Sequence, residues 1–377
     1  MIERPRDIKI VRDMLSVFPV TAVLGARQCG KTTLSRAIGG DHYFDLENPR
    51  DEARFMNPQL LLEDLKGLIV IDEIQRKPDL FPLLRYLVDT ISDQRYLILG
   101  SASRNLLSHG SESLAGRIGF HSLGGFHLND TGDGSMKKLW IRGGFPRSYL
   151  SASDDQSTMW RNSYITTYLE RDIPQLGIRI PSATLRRFWM MLAHYNGQIL
   201  NFSEIGRAFG ISDMTVRSYL EILESTFMIR ILQPYYTNIS KRLVKRPKLY
   251  FRDSGIFHTL MAIESLTQLT AHPRLGASWE SFALEETLAV LDKSTKEVFF
   301  WATHSGAEVD LVYQSKGSLQ GVEFKYCDAP LLTKSMRSAM ESLDLKQLIV
   351  VYPGKESYRL NEKARVVPVT QLKNELI

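Results

Sequence analysis

Residues 21–35 read TAVLGARQCGKTTLS, and the reading of this stretch decides the fold. It contains Gly25-x-x-x-x-Gly30-Lys31-Thr32, which fits the phosphate-binding pattern G-x-x-x-x-G-K-[ST]. Residues 21–24 form a short apolar run that predicts a buried strand, and residues 33–38 predict the first turns of a helix. Gly25 and Gly30 allow the backbone to curl so that several N–H groups point into one small volume. That volume lies at a helix N-terminus, where the dipole also favours an anion. Ala26, Arg27, Gln28, Cys29 and Thr33 complete the loop around it. Lys31 is placed to reach the β- and γ-phosphates of a nucleotide, and Thr32 offers a hydroxyl to Mg²⁺.

Working outward, residues 67–73 (GLIVIDE) form an apolar strand that ends in two acids. A strand ending in Asp-Glu is common, and by itself reads as solvated charge. Behind a phosphate loop it is expected to lie beside the phosphate-loop strand. Asp72 then holds Mg²⁺ directly or through water, and Glu73 polarises the attacking water. Residues 96–103 (YLILGSAS) predict a strand ending in hydroxyls, where a polar side chain can touch the γ-phosphate or the water. Helices are predicted over 4–18, 57–65 and 80–88, and strands over 42–46 and from 120. This alternation implies a three-layer α/β domain with a parallel sheet and its site at the strand C-termini.

The rest of the composition narrows the class. The chain has 377 residues, enough for two or three domains, and 44% hydrophobic content, enough for real cores. The net charge of +5 points only weakly to nucleic acid. Two cysteines, one inside the phosphate loop, fit a reducing compartment. The first residues, MIERPRDIKI, lack an apolar leader, and no run reaches about 18 apolar residues. The expectation is a cytoplasmic protein with no membrane segment.

Residues 139–176 contain Gly143-Gly144-Phe145-Pro146 and then apolar positions at helical spacing. Residues 201–220 read as helix–turn–helix, with Gly210 at the turn and Ser212 capping the second helix. Thr215, Arg217 and Ser218 are expected to face a groove. Strands are predicted over 228–232 and 248–251, and five basic residues crowd into 241–248: Lys241, Arg242, Lys245, Arg246 and Lys248. The pattern is that of a winged helix with a basic wing, used for DNA or for protein contact. In the last third, Asp310 is followed after twelve residues by Glu323-x-Lys325, on two predicted strands behind a helix that carries Glu280. Alternation brings Asp310 and Glu323 together in a hairpin. Two carboxylates can bind Mg²⁺ or Mn²⁺, with Glu280 contributing, and Lys325 can stabilise charge developing on a phosphodiester. An acid–lysine pair that is only a salt bridge is the plain alternative.

The phosphate loop, LIVIDEIQ, LILGSAS and LAGR together resemble the prokaryotic AAA+ ATPases that carry a C-terminal nuclease-like domain of unknown function. Asp310, Glu323 and Lys325 resemble the PD-(D/E)xK nuclease superfamily. The resemblance implies an ATPase core over 1–135, a helical lid over 136–180, a winged helix over 181–270 and a restriction-endonuclease-like α/β domain over 271–377. It implies ATP and Mg²⁺ as cofactors and a homo-oligomeric ring such as a hexamer. Ser101 or Ser103 corresponds to the γ-phosphate sensor, and Arg117 to an arginine finger reaching a neighbour's nucleotide. Arg147 and Arg171 both remain candidates for the lid arginine. The implied function is ATP hydrolysis coupled to binding of branched or forked DNA and its Mg²⁺-dependent cleavage. The alternative is a regulatory ATPase or scaffold whose nuclease-like domain performs no chemistry.

Overall fold

The computed structural model describes residues 2–101, 114–175, 180–236, 243–293 and 295–376. Five strands form the first sheet: β1 (Val20–Leu24), β2 (His42–Asp45), β3 (Gly67–Asp72), β4 (Gln94–Gly100) and β5 (Ile118–Ser122). All pair in parallel, in the order β2-β3-β4-β1-β5. Every residue of β1 is buried, as expected of a parallel strand covered on both faces. Val20, Ala22, Leu24, Ile69, Ile71 and Ile98 pack with Leu84 and Leu87 of the Leu80–Thr90 helix.

The order corrects one expectation. β3 does not lie beside β1, because β4 is inserted between them. Both flanking strands are apolar runs of similar length, and nothing in such a run names its neighbour. At roughly 4.8 Å per strand, the end of β3 lies about 10 Å from the end of β1. The phosphate loop and the start of the Lys31–Ile38 helix bridge that distance.

The described residues gather into two compact units. One runs to Phe126 and includes Ser225–Phe227; the other comprises His127–Glu224 and the chain from Met228. The second unit holds the three segments that the sequence reads as lid, winged helix and C-terminal domain. It opens with the helices Met136–Arg142, Pro146–Tyr149 and Asp154–Thr167. The helix pair Phe202–Phe209 and Asp213–Ser225 turns at Gly210, whose φ of 66° suits glycine. The Ser212 hydroxyl accepts from the Thr215 amide at 3.1 Å, as the capping prediction requires.

Three short strands, β6 (Gln198–Ile199), β7 (Ile229–Leu232) and β8 (Lys248–Phe251), form an antiparallel sheet with β8 in the middle. A mixed sheet follows, built from β9 (Val298–Ala302), β10 (Glu308–Ser315), β11 (Ser318–Phe324), β12 (Gln347–Tyr352), β13 (Tyr358–Arg359) and β14 (Ala364–Pro368). Its order is β13-β14-β12-β11-β10-β9. β10 and β11 form the expected antiparallel hairpin, while β11, β12 and β14 run parallel. The helix Leu275–Leu291 carries Glu280. The chain between β7 and β8 also bonds to the edge strand β9: the Tyr235 amide donates to the Phe300 carbonyl at 2.7 Å, and the Val244 amide to the Ala302 carbonyl at 3.0 Å. Among the described residues no helix is long and apolar enough to cross a membrane.

Candidate functional site

The phosphate loop follows the C-terminal end of β1. The Gly25 amide donates to the Gly100 carbonyl at 3.3 Å, and a side chain at position 25 would meet the Leu123 carbonyl oxygen at 2.3 Å. Gly30 has φ 108° and precedes the helix directly. Only glycine fits the first position for space and suits the second for conformation. Lys31 is buried, and its ammonium donates to the Gly25 carbonyl at 3.0 Å and the Ala26 carbonyl at 3.1 Å. The side chain therefore folds back over the loop whose amides would cradle a phosphate.

The Thr32 hydroxyl donates to Asp72 Oδ2 at 2.7 Å, and the Tyr43 hydroxyl donates to the same oxygen at 2.7 Å. Hydroxyl and carboxylate meet although 40 residues separate them. The pair is a donor set that fits Mg²⁺. Glu73 follows with a left-handed backbone, φ 56° and ψ 42°, a strain that clusters at functional sites. Burial raises its carboxyl above the usual range, and the nearby Lys31 charge pulls it part of the way back. The Gln75 amide donates to Glu73 Oε2 and, at 3.0 Å, to Ser101 Oγ. Ser103 lies outside the described residues.

Several residues here were not singled out from sequence. Gln75 stands inside the quoted LIVIDEIQ stretch, so its place after the acids was a usable signal. Tyr43 sits on β2, and Arg4 donates to the Gly124 carbonyl at 2.9 Å and the Cys29 carbonyl at 3.0 Å, bracing the loop from the N-terminus. Neither carries a local sequence cue. Arg27 is drawn into an ion pair with Glu47.

Arg117 is placed elsewhere. Its carbonyl accepts from the Val20 amide at 3.1 Å, at the start of β1, whereas the phosphate loop follows the end of that strand. Five residues of strand put roughly 16 Å between the two. Its guanidinium pairs with both oxygens of Asp89, at 2.6 and 3.0 Å, and is 36% exposed. It does not touch its own loop.

The C-terminal cluster is the second candidate. Asp310 lies at a register shift between β10 and β9, a bulge that re-aims side chains. Its Oδ2 accepts from the Phe324 amide at 3.0 Å. Lys325 donates to Glu323 Oε1 at 2.6 Å, while Glu323 Oε2 is buried with no partner among the described residues. The Tyr250 hydroxyl donates to Glu280 Oε1 at 2.6 Å. Asp310, Glu323 and Lys325 thus share one region, as strand alternation predicts, and Glu280 joins them from the helix.

One neighbour changes what the cluster can do. Lys248, 3% exposed, reaches Glu280 Oε1 at 3.3 Å, Asp310 Oδ1 at 3.2 Å and the Glu308 carboxylate. Burial alone would lower its ammonium, but Glu280 and the other acids hold it well above the ordinary value. Burial pushes Glu280 up to about 7 and Glu323 up to about 8, with Asp310 adding to both. Among the described residues no group of three or more His, Cys, Asp or Glu side chains is set to hold a metal ion. An ammonium of the chain's own already sits against Asp310 and Glu280, two of the residues expected to hold a divalent ion there. Lys248 likewise leaves the basic wing: it faces acids in the interior rather than solvent. Lys241 and Arg242 lie outside the described residues, while Lys245 and Arg246 are exposed. Glu308, two residues before Asp310 and so on the same strand face, was legible by alternation.

Comparison with known proteins places the chain. Residues 17–131 match the family described as AAA domain. Residues 133–267 and 275–372 match two domains of unknown function, DUF8612 and DUF4143. Uncharacterized protein Rv2008c of Mycobacterium tuberculosis and uncharacterized protein Mb2031c of Mycobacterium bovis are each 44% identical over 376 residues, covering 99% of this chain and 85% of theirs. The chain belongs to the family of these proteins, and it is a P-loop ATPase of the AAA class. Among solved structures, the Walker-type ATPase PabY2304 of Pyrococcus abyssi aligns over 69% of this chain and 96% of that one, with a TM-score of 0.48 and 14% identity.

Proposed function

We propose that the chain is an ATP-hydrolysing switch that engages DNA, and that its C-terminal sheet is a PD-(D/E)xK-like module that binds rather than cuts. The observation that carries the ATPase half is the meeting of Thr32 and Asp72 at 2.7 Å beside the buried Lys31. The loop amides and Lys31 bind the phosphates. Thr32 and Asp72 would hold Mg²⁺, which would supply positive charge to offset that of the phosphates. Glu73 accepts the proton of the attacking water; its raised carboxyl is a better base than an ordinary glutamate. Gln75 keeps Glu73 in register with Ser101. Arg117 serves a neighbouring copy in a ring, a role its distance from its own loop favours.

The DNA half rests on the winged-helix reading of residues 202–251, with Lys245 and Arg246 as the groups that meet phosphates. A second reading has the C-terminal cluster cut branched or forked DNA, and the convergence of Asp310, Glu323 and Lys325 favours it. Purified protein should hydrolyse ATP in Mg²⁺, Lys31→Ala should not, and labelled branched, single-stranded and duplex DNA should be bound and left intact. Mg²⁺-dependent cutting that disappears in Asp310→Ala would overturn the module reading in favour of the cutting one.

A further inference from the structure

We infer that Lys248 is the resident cation of the C-terminal acidic cluster, and that it holds the cluster closed to divalent metal. This deepens the module reading above. A lysine ammonium has three donors and no acceptor. Here three carboxylates surround it: Glu280 at 3.3 Å, Asp310 at 3.2 Å and Glu308. Those acids come from the Leu275–Leu291 helix and from β10, so one ammonium ties both of those elements to its own strand, β8. A divalent ion seeks the same oxygens.

The lysine is held there by more than its charge. β8 is the central strand of its sheet, paired to β6 and β7. The chain leading into it is bonded along the edge of β9 by the Val244 amide, and the chain leaving β7 by Tyr235 and by the Phe300 amide, which donates to the Gln233 carbonyl at 3.1 Å. Shifting the strand that carries Lys248 would break backbone bonds on both sides. Tyr250, two residues on and on the same strand face, donates to Glu280 Oε1 at 2.6 Å and adds a second clamp on the same acid. Such a side chain is a built-in part of the cluster rather than a surface lysine that has drifted inward.

The test is Mn²⁺ binding by the full chain without nucleotide, counted by electron paramagnetic resonance in a Thr32→Ala background that silences the phosphate-loop position. That protein should bind no Mn²⁺ sensitive to Asp310→Asn. Adding Lys248→Gln should create one Mn²⁺ site per chain, abolished again by Asp310→Asn, while Lys248→Arg should create none. Circular dichroism and a melting curve establish that each variant folds. If Lys248→Gln folds and gains no ion, lysine is not what closes the cluster. If the Thr32→Ala protein itself binds an ion that Asp310→Asn removes, metal rather than lysine is resident; this arm decides even should Lys248→Gln fail to fold. The ion count is read without DNA, and the DNA cleavage assay tests the module reading separately.

Discussion

The phosphate loop and the C-terminal cluster are built from the same side chains, lysine and acids, and use them in opposite ways. At the loop, the Lys31 ammonium rests on two neutral carbonyls, and Asp72 is met by the hydroxyls of Thr32 and Tyr43. Each charge is oriented by neutral partners and keeps its capacity for an incoming phosphate or cation. In the C-terminal cluster, Lys248 is placed directly among Glu280, Glu308 and Asp310, and Lys325 on Glu323. There the charges pair with one another, and among the described residues Glu323 Oε2 is the oxygen of the cluster left without a partner. A buried charge must find a partner, and whether that partner is internal or a ligand separates a structural node from a binding site.

The largest effect should come from breaking the open site. Glu73→Gln should keep nucleotide binding and lower the hydrolysis rate by about 10²–10⁴-fold, because only the proton transfer is lost. Lys31→Ala should lose binding as well. Both are read by steady-state ATPase rates beside nucleotide titration; a Glu73→Gln enzyme of normal rate would remove the base from the mechanism.

The closed site should answer with stability instead. Lys248→Ala leaves buried carboxylates without their cation, at a cost of about 3–5 kcal/mol. Lys31→Ala removes two bonds to carbonyls, each worth about 0.5–1.5 kcal/mol net. Denaturant titration of both variants measures the contrast, and equal losses would erase the distinction between the two sites.

A pH series sharpens it further, since the second unit also satisfies a neutral group from within. His258 is fully buried; its Nδ1 donates to the Ile141 carbonyl at 3.2 Å and its Nε2 accepts from the Ser278 hydroxyl at 2.7 Å. Burial pushes its pKa down to about 3, so between that value and about 6.5 the unfolded chain binds the extra proton. Stability is therefore full above about pH 6.5 and falls as the pH drops toward 3. His258→Asn should be less stable at neutral pH and show a shallower acid loss; an unchanged acid limb would assign it to other groups.

The smallest effect concerns the basic segment. Lys245→Ala with Arg246→Ala should lower the slope of log K against log salt for duplex DNA by about 0.9 for each phosphate left without its cation. Lys248→Gln should leave that slope unaltered if it folds, because a buried lysine meets no phosphate. A matching drop in both variants would return Lys248 to the wing.

Much of this was legible locally. G-x-x-x-x-G-K-T specifies a loop conformation within eight residues, and the apolar run ending in Asp72-Glu73 specifies where the acids emerge. The hairpin of β10 and β11 and its shared face follow from strand alternation. These are short-range consequences of backbone geometry, so the sequence alone determined them. Which strand neighbours which, and where a long side chain ends, are decided across large separations. β4 enters between β1 and β3, and Lys248 meets Asp310 across 62 residues. Five basic residues in eight look alike in the chain. Only the tertiary structure buries Lys248, because the pairing of β8 and the edge of β9 carry its ammonium into a region whose acids need a cation.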